Sequence, residues 1–444
     1  MISAAETETG LQVLYTAITL DCVEHGSITF SVSVPMPLSF HRRALPAMLS
    51  VIFLLISTTL ALAEDHPMLC SDGFGSFSSK FATGVTVSVE PVRKSAFASR
   101  VCSASLNWNG SQLEITPKAS EIDLDVFGAD LGLGVPVAAF QIRNVGSDKF
   151  VQYEIYSLKK PSQKLRTLTG GDYFNAADTD LDGRIEIWTD DAAAIDGFDN
   201  LSLSTFDAAP TVVLRFEKGH LVDVGAEFQS DYDHQINALR AGIDSHTLNQ
   251  FKNSDGKLTD RSSLPIEEAH ALMTTKVKVL EIIWAYLYSG REQQAWDALD
   301  AMWPSADVKR IRTLIQNARA AGMHSKVEGT SDKSSIHIKK HAMIFEAEMQ
   351  YNKNDHMHEF QAEVIPKEIY LRRPPLPSTA GTSMNNEVIL NLVIDAAGKV
   401  RSAKSEGKAD QDLIAATAGW KFVPAFQSGH AVASRMRYGV TPYQ

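Results

Sequence analysis

The chain has 444 residues and 44% of them are hydrophobic, so it is long enough to fold into several domains. Its 42 basic and 53 acidic residues give a formal net charge of −11. This balance argues against nucleic acid or an anionic membrane surface as a partner, because both attract basic proteins.

Residues 1–63 have the pattern of an export leader. A basic His-Arg-Arg cluster is followed by an apolar run and Ala-Leu-Ala, which is typical of a signal peptide cleaved before Glu64. The alternative is an uncleaved inner-membrane anchor, because residues 44–63 are long enough to span a bilayer. The residues before Met36 fit neither pattern and indicate an over-extended start. We therefore expect a periplasmic protein, or one anchored in the inner membrane.

Residues 64–225 have the short alternating apolar runs of a β-rich domain. Two of these runs flank Asn109-Gly110, a pair that accepts the positive φ of a tight hairpin turn. Cys70 and Cys102 also lie here, and since the periplasm is oxidising and neither has a Cys-x-x-Cys neighbour, we predict one disulfide. The pattern predicts a β-sandwich-like domain.

An acidic loop within this domain, with the sequence DTDLDGRIE, is the best candidate for a metal site. Calcium takes about six to eight oxygen ligands, and aspartates at alternate positions before a turn-forming glycine supply several from one segment. Asp178, Asp180 and Asp182 have this spacing, and the carbonyl of Arg184 holds the next ligand position. The spacing predicts a structural Ca²⁺ site.

The acidic loop resembles the calcium loops of FG-GAP and VCBS repeats, which lie between β-strands. An EF-hand needs a bidentate glutamate where this chain has Thr189, so the EF-hand pattern fits less well. The resemblance implies that Asp178, Asp180, Asp182 and Glu186 are side-chain ligands.

Residues 226–330 change to a helical period and predict a small α-helical domain. The stretch from Tyr286 to Pro304 resembles one tetratricopeptide-type hairpin, but no second copy follows at the repeat spacing. Residues 331–373 indicate β segments and a linker, with strands expected in SIHIKKHAMIFEAEMQY and FQAEVIPKEIYL.

The last segment, residues 374–444, has a compact pattern of strands and one helix. An apolar strand leads through a turn at Gly398 into a second strand, and a short helix and two alternating aromatic residues follow. In the final strand, expected over Ala431–Val440, apolar residues share one face and Arg435 and Arg437 take the other.

This order of residues resembles the C-terminal domain of the TonB family. The pattern is an apolar strand ending in V-D-x-x-G-x-V, then S-x-G, a helix, W-x-F-x-P-A and G-x-x-V, with Ile394 in place of the valine before the aspartate. The matching residues are Val388, Val393, Asp395, Gly398, Val400, Ser405, Gly407, Ala416, Trp420, Phe422, Pro424, Ala425, Gly429 and Val432. The resemblance implies a three-stranded sheet with a helix, and makes the whole chain a multidomain α+β protein.

In TonB-family transducers, the last strand pairs with an extended peptide of an outer-membrane receptor by β-strand addition. By this resemblance, Arg435, Arg437 and Tyr438 form a binding site for a peptide of an envelope or outer-membrane protein. The chain departs from the transducers because residues 64–373 look folded where a transducer has a Pro-rich spacer, and because the apolar segment 44–63 has no histidine.

We therefore expect an exported, non-catalytic cell-envelope protein that binds proteins or takes part in TonB-linked transport. Two alternatives stay open: a membrane-anchored energy transducer for outer-membrane receptors, and an envelope enzyme of unidentified activity in the β-rich domain. The sequence contains no G-x-S-x-G, H-E-x-x-H or P-loop motif, so it names no catalytic residue.

Overall fold

The computed structural model describes residues 68–71, 74–92, 100–146, 149–206, 209–258, 264–330, 343–347, 362–371, 388–407 and 411–440. About 31% of these residues are helical and 38% lie in strands, so the mixed α+β class is as predicted. The predicted leader, residues 1–63, lies outside the described part. Within the described part, no helix is long and apolar enough to cross a bilayer.

The largest sheet is antiparallel, with strand order β2-β3-β4-β5-β6-β7-β8 and with β1 paired to β5. Asn109 and Gly110 adopt φ angles of 47° and 79°, which confirms the predicted hairpin turn between β4 and β5. The strands are β1 (Cys70–Ser71), β2 (Phe77–Lys80), β3 (Thr86–Val92), β4 (Val101–Trp108), β5 (Ser111–Phe127), β6 (Val137–Asn144), β7 (Gln152–Ser157) and β8 (Lys164–Thr169).

A disulfide joins Cys70 in β1 to Cys102 in β4, as the sequence predicts. Both cysteines are fully buried in the apolar cluster on one face of the sheet. Because β1 pairs with β5, the bond links the start of the described chain to two neighbouring strands.

A second sheet has the order β13-β12-β11-β10-β9, and helices pack against it. Its strands are β9 (Phe174–Ala177), β10 (Glu186–Asp190), β11 (Thr211–Glu217), β12 (His220–Asp223) and β13 (Gly329–Thr330). The helices are α1 (Ala192–Ile195), α2 (Gln229–Ala241), α3 (Ser245–Lys252), α4 (Ile266–Tyr288), α5 (Glu292–Met302) and α6 (Val308–Ala321).

One apolar core spans the second sheet and these helices. Ile187 and Leu214 of the sheet belong to the same buried cluster as Ile283 and Trp284 of α4. The division expected near residue 225, between a β-rich and a helical region, therefore runs through continuous packing. The C-terminal half of α4 is buried on nearly all sides, so it packs in the centre of this core.

The C-terminal region has a four-stranded sheet in the order β14-β21-β16-β17 and two short strand pairs, β15-β18 and β19-β20. We call the part from β16 to β21, including α7, the C-terminal module. Its elements and the two strands that precede it are β14 (Phe345–Ala347), β15 (Lys367–Tyr370), β16 (Val388–Ile394), β17 (Val400–Ser405), α7 (Gln411–Ala416), β18 (Lys421–Val423), β19 (Ala425–Gln427), β20 (His430–Val432) and β21 (Ser434–Val440).

Two details differ from the expected three-stranded arrangement. The strand expected over Ala431–Val440 is interrupted at Ala433: β20 ends at Val432 and β21 begins at Ser434. A turn with positive φ at Ser428 and Gly429 pairs β20 with β19. Val432 therefore pairs with Ala425 and does not share the core face of β21. The sheet also gains a fourth strand, since β14 adds in parallel to β21.

Candidate functional site

The acidic loop Asp178–Glu186 connects β9 to β10. Carboxylate oxygens of Asp178, Asp180 and Asp182 all lie within 4.8 Å of one another. Asp178 is fully buried and accepts hydrogen bonds from the backbone N–H groups of Asp182 (2.9 Å) and Gly183 (3.0 Å). Gly183 has a φ of 87°, which a side chain would strain, so the glycine allows the turn. The structure thus brings three of the predicted ligands together.

Glu186 is not part of this group. Its carboxylate accepts a hydrogen bond from Thr179 N at 3.1 Å and pairs with the buried guanidinium of Arg215 at 3.2 Å. The side chain of Arg184 turns back to the loop, where Nε donates to Asp182 Oδ2 at 2.6 Å. Arg215, which lies outside the loop, therefore occupies the carboxyl group of Glu186, and Arg184 occupies one oxygen of Asp182.

Burial changes the acidity of this loop. It raises the pKa of Asp178 to about 7, helped by the nearby charge of Asp395, although the hydrogen bonds from Gly183 and Asp182 oppose the shift. Burial also raises the pKa of Glu186 to about 8 against the opposing effects of Thr179 N and Arg215. The arginine on Asp182 lowers the pKa of that carboxyl despite its partial burial. A bound cation at Asp178 would favour its ionised form.

Two buried ion pairs fix the C-terminal module to the largest sheet. Lys421 Nζ pairs with Asp123, and Lys399 Nζ pairs with Asp125 and also donates to the Asp125 carbonyl at 2.9 Å. All four side chains are at most 10% exposed. Burial lowers the pKa of Lys421, while the charge of Asp123 opposes this.

Neutral groups also donate hydrogen bonds to both aspartates. Asp123 accepts a hydrogen bond from Gln141 Nε2 at 3.1 Å. Asp125 accepts from Tyr153 OH at 2.7 Å and from Ala176 N at 2.9 Å. Each buried carboxylate therefore has both a cation and a neutral donor, which is what a buried charge requires.

The acidic loop and the C-terminal module meet at Asp395. Its Oδ2 accepts a hydrogen bond from Asp178 N at 3.0 Å, and its Oδ1 accepts from Ala397 N and Lys399 N, both at 2.9 Å. Burial raises the pKa of Asp395 to about 6, although Lys399 and Arg401 lower it in part. The charge state of the loop is thereby coupled to the turn between β16 and β17.

The residues predicted to bind a partner occupy two different environments on β21. Arg435 and Arg437 are exposed, and they pair with Glu346 of β14 at 2.8 Å and with Glu406 at 2.6 Å. Tyr438 instead packs edge-on against two aromatic rings of the core and donates its hydroxyl to Glu368. The structure therefore places Tyr438 in the core of the module and separates it from the two arginines.

Sequence reasoning misses the docking network completely. The available signal is the run IDLDVF, where Asp123 and Asp125 interrupt an apolar strand at alternate positions on one face. Lys421 gives no such signal in the sequence. It alternates with the core residues Trp420 and Phe422, and this pattern is typical of a lysine on the solvent-exposed face of a strand.

Comparison of the chain with protein-family models, with curated proteins and with solved structures finds no match. The residues and their geometry therefore carry the functional argument.

We predict that Lys421→Met destabilises the protein by about 3–5 kcal/mol, because it leaves the buried carboxylate of Asp123 without its cation. Adding Asp123→Asn should recover most of this loss, since the amide needs no counter-charge. Arg437→Met removes an exposed pair with Glu406 and should cost at most about 1 kcal/mol. Urea unfolding measures all three, and equal losses for Lys421→Met and Arg437→Met would contradict the assignment.

We predict that the free energy of unfolding falls as pH rises from near 4 to near 7. In this range the folded protein, in which the pKa of Asp178 is raised from 3.8 to about 7, binds a proton that the unfolded chain has released. The stabilisation from protonated Asp178 is complete below the pKa of the unfolded chain and is lost as the pH rises through the pKa of the folded protein. Asp178→Asn should therefore reduce the downward slope, by at most about 1.4 kcal/mol per pH unit.

Urea unfolding at several pH values in buffer without divalent cations measures this slope. Asp130→Asn is the matched control, because Asp130 caps an exposed turn by accepting hydrogen bonds from three backbone N–H groups outside the acidic loop. Parallel curves for the wild type and Asp178→Asn would refute the prediction.

Proposed function

We propose that the protein is a non-catalytic, protein-binding component of the cell envelope. Its C-terminal module, which resembles the TonB-family domain, binds an extended segment of another envelope protein by strand addition to β21. The periplasm is the proposed location, and the leader pattern of residues 1–63 is the proposed export signal.

The observation that carries the proposal is the pairing of β21 on both of its sides. On the inner side it pairs antiparallel with β16 over seven residues. On the outer side, Ser434, Arg435 and Met436 pair in parallel with β14, which comes from a different part of the chain. The outer side of β21 is therefore compatible in shape and backbone hydrogen bonding with an added parallel strand.

Two further observations support the envelope and a binding role. The Cys70–Cys102 disulfide is suited to an oxidising compartment. The buried pairs from Lys399 and Lys421 hold the module on β5. This anchoring favours a folded binding protein over a transducer whose terminal domain extends on a spacer.

We predict that a photo-crosslinking amino acid at position 435 or 437 will link to an envelope protein in intact bacterial cells. These positions share one face of β21, so the two crosslinks should map to partner residues two positions apart, as cross-strand neighbours do. Mass spectrometry of the crosslinked peptides gives the register.

Position 404 is the matched control, since Lys404 is exposed on β17 at the opposite edge of the same sheet. Equal crosslinking from position 404, or crosslinks from positions 435 and 437 without a shared register, would refute strand addition. Recovery of the protein only in the cytoplasm would refute the envelope assignment.

We also propose that the acidic loop binds Ca²⁺ through Asp178, Asp180 and Asp182. The convergence of their carboxylate oxygens within 4.8 Å supports this, as does the buried Asp178 carboxylate, which a cation would stabilise in its charged form. Glu186 is left out of the proposed ligand set because it does not belong to the group of converging carboxylates and pairs with the buried Arg215. The ion would stiffen the connection between β9 and β10.

We predict that about 1 mM CaCl₂ raises the melting temperature of the wild type, because a ligand that binds only the folded state stabilises it. Asp180→Asn should abolish the increase, while Asp130→Asn, in an exposed turn outside the acidic loop, should keep it. Differential scanning calorimetry with MgCl₂ as the ion control measures the effect. An unchanged melting temperature in CaCl₂ would refute the site.

A further inference from the structure

Among the residues that the structure describes, β14 has the shortest strand pairing in the C-terminal sheet. It contributes three residues, with Phe345, Glu346 and Ala347 opposite Ser434, Arg435 and Met436. The neighbouring pair of β21 with β16 extends over seven residues. Because parallel pairing is slightly weaker per residue than antiparallel pairing, β14 gains less from the sheet than β16 does.

Two of the three β14 side chains are partly exposed, and the third is small. Glu346 forms an ion pair with Arg435 at 2.8 Å, but these side chains are 45% and 54% exposed, so the pair contributes at most about 1 kcal/mol. Ala347 is buried in the module core, yet its methyl group is small. Phe345 is only partly buried.

The backbone contacts of β14 are local to its two neighbours. Phe345 N donates to Ala433 O at 2.9 Å, and Glu346 O accepts from Ala362 N at 3.0 Å. Glu346 and Arg435 are 89 residues apart in the chain, so closing this contact also has an entropic cost. β14 therefore takes the position beside β21 that an added parallel strand would take, so another strand can compete with it for the same backbone groups.

We propose that β14 is an internal occupant of the partner-binding side of β21, and that an incoming segment must displace it. This inference rests on the proposed strand-addition function and defines its partner more closely. The partner is an extended segment that runs parallel to β21, with an acidic residue opposite Arg435 and a small residue opposite Met436.

If the partner must displace β14, partner binding and release of the β14 segment from the sheet are linked. The apparent affinity for a partner equals its intrinsic affinity multiplied by the fraction of molecules in which β14 has left the sheet. Weakening β14 should consequently tighten binding without any change in β21 itself.

The test uses the full chain and a fluorescein-labelled peptide, GGMIFEAGG, which carries β14 and the two residues before it, Met343 and Ile344, between glycines. Phe345→Pro removes the N–H that donates to Ala433 O, and Phe345→Ala keeps that donor as the matched control. Glu346→Lys is a second weakening variant, because it places a positive charge opposite Arg435. Fluorescence anisotropy measures peptide affinity, and circular dichroism checks that each variant is folded.

We predict that Phe345→Pro and Glu346→Lys bind the peptide at least about tenfold more tightly than the wild type does. Phe345→Ala should show a smaller gain. The peptide GGMIFKAGG should bind Phe345→Pro more weakly than GGMIFEAGG does, and Arg435→Glu in the same background should reverse that preference.

The outcomes separate the two proposals. Equal affinity of the wild type and both weakened variants, with the charge preference intact, would leave strand addition standing and overturn the role of β14. No binding to any variant would overturn both proposals. If the proline variant does not fold, hydrogen exchange of the wild type decides, because amides of β14 that exchange as slowly as those of β16 would also overturn the inference.

Discussion

The placement of the C-terminal module depends on two buried lysine-to-aspartate pairs. Moving a carboxylate or an ammonium group out of water costs several kcal/mol, and only a close partner with further hydrogen bonds offsets that cost. Asp123 and Asp125 on β5 meet both conditions when Lys421 and Lys399 arrive from the module. Separation of the C-terminal module from β5 would leave four charged groups without their partners. The ion pairs therefore favour one position of the module on β5.

The turn between β16 and β17 connects this docking surface to the acidic loop. The Asp395 carboxylate stabilises the turn by accepting hydrogen bonds from the backbone N–H groups of Ala397 and Lys399. It also accepts a hydrogen bond from Asp178 N in the acidic loop. Gly398 has a φ of 87°, and a Cβ there would lie 1.9 Å from Phe422 O. The aspartate and glycine that suggest the TonB pattern therefore have direct structural roles here, since they shape a turn that contacts another part of the chain.

Local features of the fold follow from the sequence, and distant contacts do not. The Asn109-Gly110 turn and the helical period beyond residue 226 depend on neighbouring residues, so their patterns predict them. The pairs that dock the module join residues 274 and 298 positions apart, and no local period records such a contact.

In the candidate sites, too, the sequence predicts the local contacts and misses the distant ones. The spacing of Asp178, Asp180 and Asp182 predicts that their carboxylates converge. Glu186 has the right spacing too, but Arg215 on the adjacent strand β11 takes its carboxylate. The pairing of β14 with β21 likewise depends on a contact across 89 residues, which converts an expected edge strand into an inner one.

The second sheet has a consequence for how the chain folds as it is made. Its last strand, β13, pairs in parallel with β12, and at this point Leu221 and Glu328 are hydrogen-bonded although they are 107 residues apart. In the sequence, the five helices from α2 to α6 come after β12 and before β13. During synthesis from the N-terminus, one face of β10 and β11 therefore stays uncovered until α4 has been made, and the sheet is complete only after α6. In that interval the uncovered apolar face can aggregate, and it is also available to a chaperone that binds apolar segments.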